Sequence, residues 1–141
     1  ECKEFVFCGY GEPMMRLDTL LEAAAALKAR YPQPIRVNTN GQAPLFEKRD
    51  VPPMLEGLID VVSISLNCAD AEAYAALCHP VYGPAAYDAL QRFAAGCVPY
   101  VGRVQFSVVG ETLSPAALEQ CRAIAEKCGV ALRVRTYIGK N

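Results

Sequence analysis

Three short stretches of this chain combine residue types that handle small molecules. Cys8-Gly9-Tyr10-Gly11-Glu12-Pro13 sets two glycines beside a carboxylate. Glycines let a ligand approach backbone amides that a Cβ would screen, and a carboxylate fixed next to those amides suits a zwitterionic ligand. The same residues also make an ordinary turn after a strand. Asn38-Thr39-Asn40-Gly41 and Ser63-Ile64-Ser65-Leu66-Asn67 are rich in amides and hydroxyls. Arg36, Arg133 and Arg135 carry planar guanidinium groups, whose forked donors match carboxylate or phosphate. An anionic substrate is therefore expected of these arginines, with a solvated sheet edge as the alternative. His79, the only histidine, lies in Cys78-His79-Pro80. Histidine titrates near neutrality, but a lone one more commonly caps or packs than catalyses.

The seven cysteines, at positions 2, 8, 68, 78, 97, 121 and 128, are odd in number and contain no C-x-x-C pair. Neither a disulfide framework nor a zinc site follows. Cys2 and Cys8 fall on one expected strand about 20 Å apart, too far to share a metal. Cys121 and Cys128 lie about 10 Å apart along an expected helix. All seven are expected to be buried structural thiols.

The elements that must position these residues alternate along the whole chain. Strands are predicted at Phe5–Cys8, Ile35–Asn40, Val61–Asn67, Arg103–Val109 and Ala131–Tyr137. Helices are predicted at Asp18–Arg30 with Asp18 as the cap, and at Pro53–Gly57, Asp70–Leu77, Pro84–Ala95 and Pro115–Cys128, the last stopped by Gly129. Strict β/α alternation implies parallel strands. Parallel strands covered on both faces read as unbroken apolar runs. Here Ile35 and Val37 alternate with Arg36 and Asn38, and Val62, Ile64 and Leu66 with Ser63, Ser65 and Asn67. Val104, Phe106 and Val108 likewise alternate with Gln105 and Ser107, and Leu132 and Val134 with Arg133 and Arg135. Each strand has one apolar and one polar face. Helices must cover the apolar side, so the polar sides converge to line a wet or ligand-filled interior, or else a solvated sheet face. In such architectures the working residues sit where strands end.

The composition agrees with one domain over residues 1–141. The chain has 14 Lys+Arg against 15 Asp+Glu, a net charge of −1, and 52% hydrophobic residues. The charge balance argues against a nucleic-acid surface, the apolar content against general disorder, and no run approaches a membrane span. A cytoplasmic location is expected, with no membrane partner and no nucleic acid.

The three strand-end motifs, in this order, resemble those of radical S-adenosylmethionine enzymes. Phe7-Cys8-Gly9-Tyr10-Gly11-Glu12-Pro13 is similar to the glycine-glutamate-proline motif ending that family's second strand. Val37-Asn38-Thr39-Asn40-Gly41 and Ser63-Ile64-Ser65-Leu66-Asn67 resemble the segments ending its third and fourth. The pattern looks closest to the radical SAM proteins associated with TatD-type hydrolases, and more distantly to glycyl-radical-enzyme activases. The resemblance implies a parallel β/α partial TIM-type barrel, of which this chain would supply five strands of a (β/α)6 core. It also implies a [4Fe-4S] cluster and S-adenosylmethionine, cleaved reductively to a 5′-deoxyadenosyl radical with electrons from a separate donor. By position, Gly9, Gly11 and Glu12 would meet the methionine amino group. Asn38, Thr39 and Asn40 would lie near the methionine or the substrate, Ser65 and Asn67 near the ribose or carboxylate, and Val109 and Tyr137 beside the adenine.

The family's C-x-x-x-C-x-x-C loop, which follows its first strand, does not occur in this chain. The expectation is a truncated enzyme lacking its first βα unit, with no metal ligand of its own, binding neither cofactor and inactive alone. Phe5–Cys8 would then be an exposed edge through which the fragment self-associates. The competing expectation is a non-catalytic α/β module holding an anion or nucleotide at its glycine-rich strand ends; it requires a reversal of strand order.

Overall fold

The structure is a computed structural model describing residues 2–8 and 11–136. Strands β1 (Phe5–Phe7), β2 (Ile35–Thr39), β3 (Val61–Ser65), β4 (Arg103–Val109) and β5 (Ala131–Arg135) form one sheet. Every neighbouring pair is parallel, in the order β1-β2-β3-β4-β5. Alternation of strand and helix has thus produced the all-parallel sheet expected of it. The order contains no reversal among the described strands, so the crevice required by a doubly wound binding module does not form here.

Between the strands run α1 (Leu17–Arg30), α2 (Ala43–Phe46), α3 (Val51–Met54), α4 (Ala71–Cys78), α5 (Ala85–Cys97) and α6 (Pro115–Cys128). Local chemistry sets their limits. The Asp70 side chain accepts the Ala73 N–H at 2.8 Å and Ser114 Oγ that of Ala117 at 3.1 Å, satisfying amide donors at the starts of α4 and α6. Gly129 ends α6 with φ 76°. Two expectations are corrected. Asp18 does not cap α1, which begins at Leu17 with Arg16 before it; Asp18 instead pairs with Arg49 at 2.9 Å. The single helix expected over Pro53–Gly57 is replaced by the one-turn helices α2 and α3, each with proline at its start, where the missing N–H costs nothing.

Strand ends also differ from expectation. β3 stops at Ser65 because Asn67 takes a left-handed conformation, φ 66°, which turns the chain out of the sheet. β1 stops at Phe7, so Cys2 and Cys8 share no strand. The expected end of β5 at Tyr137 lies outside the described residues.

The core occupies one side of the sheet. Ile35, Val37, Val62, Ile64, Phe106 and Val108 are inaccessible and form one cluster with Leu20 and Ala24 of α1, Leu90 and Ala94 of α5, and Cys121 of α6. Period-2 alternation then fixes the opposite side. Register places Asn38 beside Ser63 and Ser63 beside Gln105, then Ser65 beside Ser107 and Ser107 beside Arg133. The polar rows inferred from alternation are therefore real rows of neighbours across the sheet.

Candidate functional site

The polar rows line a cavity of about 230 Å³. Arg36 and Asn38 enter it from β2, Ser63 and Ser65 from β3, Ser107 from β4, and Arg133 and Arg135 from β5. Among the described residues its lining contains no carboxylate. Arg135 Nε donates to Ser107 Oγ at 2.8 Å, which orients the guanidinium across the end of β4. Beneath it, Arg103 Nε donates to Gln105 Oε1 at 2.9 Å and Gln105 Nε2 to Ser63 Oγ at 3.1 Å, so the buried floor is cross-linked by hydrogen bonds. Arg36 reaches Glu4 at 3.4 Å. Among the described residues its buried Nε has no hydrogen-bond partner. Sequence reasoning named the three arginines, Asn38 and Ser65; it did not single out Ser63 and Ser107 as site residues, although their place in the alternation marked them.

The remaining expected site residues have other surroundings. Glu12 lies at the strand ends, but its carboxylate is occupied by the chain: it accepts from Asn40 N at 2.7 Å, Thr39 Oγ1 at 2.5 Å and Met14 N at 3.1 Å. A carboxylate has about four acceptor positions, so one on Oε1 stays open to an ammonium group. Thr39 is buried on the helix side of β2 and does not face the polar cavity. Asn40 Oδ1 accepts the Gln42 N–H at 2.9 Å, an Asx turn leading into α2. Asn67 points its amide to Cys78 Sγ at 3.4 Å and borders a separate, mainly apolar cavity between α4 and Leu113. Val109 closes β4, its carbonyl accepting the Thr112 hydroxyl at 2.8 Å. Gly11 is exposed, and a Cβ there would meet nothing within 4 Å. Gly9 and Tyr137 lie outside the described residues. The structure thus gathers Arg36, Asn38, Ser65, Arg133 and Arg135 into one cavity and leaves Glu12, Thr39, Asn40, Asn67 and Val109 around it.

His79 ends α4 in a left-handed conformation, φ 46°, its N–H bonded to Ala75 O. That is the capping role, and the side chain is exposed. The cysteines are not uniformly buried as expected: Cys2 and Cys8 are exposed, Cys78 and Cys128 half-buried, and Cys68, Cys97 and Cys121 buried. Burial pushes the Cys97 thiol up to about 12 and raises those of Cys68 and Cys121, so these thiols are poor nucleophiles. Among the described residues no three His, Cys, Asp or Glu side chains converge as a metal site. The donor set present does not fit an iron–sulfur cluster, whose thiolate ligands would have to come from elsewhere. It does fit the polar parts of a nucleoside or amino-acid ligand, which hydroxyl, amide and guanidinium groups bind.

No helix among the described residues is long and apolar enough to cross a membrane. No family model matches the chain, and no curated protein matches it.

Proposed function

We propose that this chain is the cofactor-holding part of a radical S-adenosylmethionine enzyme and forms five strands of a partial β/α barrel. One observation carries the reading: an unbroken parallel order from β1 to β5, apolar toward the helices and polar on the other side. Consecutive order with one-sided helices is how β/α barrels are built, and their polar strand ends face the reaction. The strand-end motifs at Gly9–Pro13, Val37–Gly41 and Ser63–Asn67 supply the resemblance.

S-adenosylmethionine, when bound with its cluster, supplies one-electron chemistry that no side chain can. This chain's residues bind and orient. Asn38 and Ser65 present an amide and a hydroxyl to the ligand, and Glu12 offers its open acceptor to the ammonium. Glu12 also positions β2, through Thr39 and Asn40. Among the described residues no ligand set for the cluster is gathered.

The test is to read the coding DNA upstream of Glu1, in frame, for C-x-x-x-C-x-x-C within one βα unit, about 30 or more residues. Its presence is the expected result. A start codon directly before Glu1 would overturn the reading.

A further inference from the structure

We infer that the polar cavity is a receptor for a doubly charged oxyanion, such as the phosphate of a small phosphorylated substrate or a pair of carboxylates. The inference rests on reading the polar face as the reaction cavity and assigns it a substrate class. Arg36 from β2 and Arg133 and Arg135 from β5 converge on the cavity from well-separated strands of the sheet. Arg133 and Arg135 are exposed, so water screens their mutual repulsion, and an anion seated between them and Arg36 would gain attraction from all three guanidinium groups. The protein supplies one counter-charge: Glu4 pairs with Arg36 at 3.4 Å. Among the described residues neither Arg133 nor Arg135 has an ion-pair partner. The balance is two positive charges, which matches a dianion.

The donors are also prepared for one. Ser107 accepts Arg135 Nε and thereby fixes the plane of the guanidinium, leaving its terminal N–H groups for a bidentate contact. The hydroxyls of Ser65 and Ser107 add neutral donors that suit phosphate or carboxylate oxygens. A volume of about 230 Å³ is below the roughly 300–1,000 Å³ of sites that enclose a whole ligand. The cavity therefore holds the charged head, and the rest of the substrate extends beyond it.

The test is calorimetric titration of the chain with inorganic phosphate and, separately, with malonate, at low ionic strength. Saturable binding of either is expected, weakened about tenfold by Arg135→Gln and by Arg133→Gln. Arg135→Lys, which keeps the charge and loses the fork, is expected to fall between. Arg92→Gln, whose guanidinium pairs with Asp88 on the exposed face of α5, is expected to bind as the parent does. Stronger binding of phosphate than of malonate identifies a phosphorylated substrate, and the reverse a dicarboxylate. Absence of binding, or equal losses in Arg92→Gln and Arg135→Gln, overturns the inference. The coding-DNA test separates the two readings: anion binding by a chain with no C-x-x-x-C-x-x-C upstream of Glu1 retains the oxyanion site and removes the radical SAM assignment.

Discussion

The Glu12 carboxylate accepts the Thr39 hydroxyl at 2.5 Å, tying the loop after β1 to the end of β2 across 27 residues of chain. The same carboxylate receives the N–H groups of Asn40 and Met14, and Thr39 Oγ1 in turn accepts that of Gly41 at 3.1 Å. Each donor has one acceptor, and the bonds reinforce one another. Glu12→Gln puts an amide donor where only acceptors are wanted. It is expected to cost about 1–3 kcal/mol, read as a lower urea midpoint at unchanged slope. An unchanged midpoint would mean that these bonds do not hold the loop.

Gly41 follows directly, and its backbone has φ 75°. A Cβ there would lie 2.7 Å from Leu90 Cβ and 2.8 Å from Ile64 Cγ2, both in the core. Gly41→Ala therefore combines a left-handed backbone with overpacking, and neither neighbour is the free end of a flexible chain. The expected loss is about 2–4 kcal/mol in denaturant unfolding. Gly57→Ala, also at positive φ but with nothing within 4 Å, should lose only the smaller backbone part, about 1 kcal/mol. Equal losses at the two positions would exclude the packing component.

Asp60 joins α1 to the start of β2: its carboxylate accepts Lys28 Nζ at 2.5 Å and Ile35 N at 2.7 Å. Burial pushes the carboxyl up, but the Lys28 ammonium and the Ile35 amide outweigh it and hold it below its usual value. A depressed folded value means that the stabilisation is complete above the unfolded value, about 4, and disappears as pH falls through the folded one. The difference in urea midpoint between the parent and Asp60→Asn is expected to be largest near about pH 7 and to shrink below about pH 4. A difference constant over that range would assign the effect to packing.

The cysteines divide by exposure. Cys2 and Cys8 are open to solvent, whereas Cys97 is inaccessible, with its thiol pushed up to about 12 by burial. Only a thiolate attacks a disulfide reagent, so the two exposed thiols are expected to react with Ellman's reagent in the folded protein, and Cys68, Cys97 and Cys121 only after unfolding. Mass mapping of labelled peptides reads this directly. Rapid labelling of Cys97 in the native state would show that α5 opens from the sheet.

What could be read in advance followed from periodicity. The alternation of Val62, Ile64 and Leu66 with Ser63 and Ser65 implied two faces, and those faces are the core and the cavity. The arginines of β5 were legible for the same reason, since Arg133 and Arg135 are two residues apart in one strand. Long-range hydrogen bonding was not legible. Nothing in the spacing of Glu12 and Thr39 says that the hydroxyl turns toward the helices and donates to the carboxylate. Asn67 was equally opaque, because its left-handed backbone depends on the turn that ends β3 and takes its side chain toward α4. Pro44, Pro52 and Pro53 explain the one helix placed wrongly: a proline favours the first turn of a helix, and two separate first turns occur where one was expected.

The two edges of the sheet differ in how they resist association. β5 carries Arg133 and Arg135, and charge on an edge strand discourages pairing with another chain. β1 reads Phe5-Val6-Phe7 and is bonded to a strand on its β2 side only among the described residues. Val6 is 38% exposed on this edge, and Phe5 is held 5.5 Å from Tyr31 on the helix side. We propose that the chain associates with itself through β1, which offers unpaired backbone groups and no charged side chain within the strand. Light scattering across a concentration series is expected to show a rise in mass, and Val6→Lys is expected to suppress it without lowering the unfolding free energy by more than about 1 kcal/mol. A single monomeric species at high concentration would remove the proposal. Association that persists undiminished in Val6→Lys would move the contact elsewhere, to the exposed apolar side chains of Leu77 and Val81 near the end of α4.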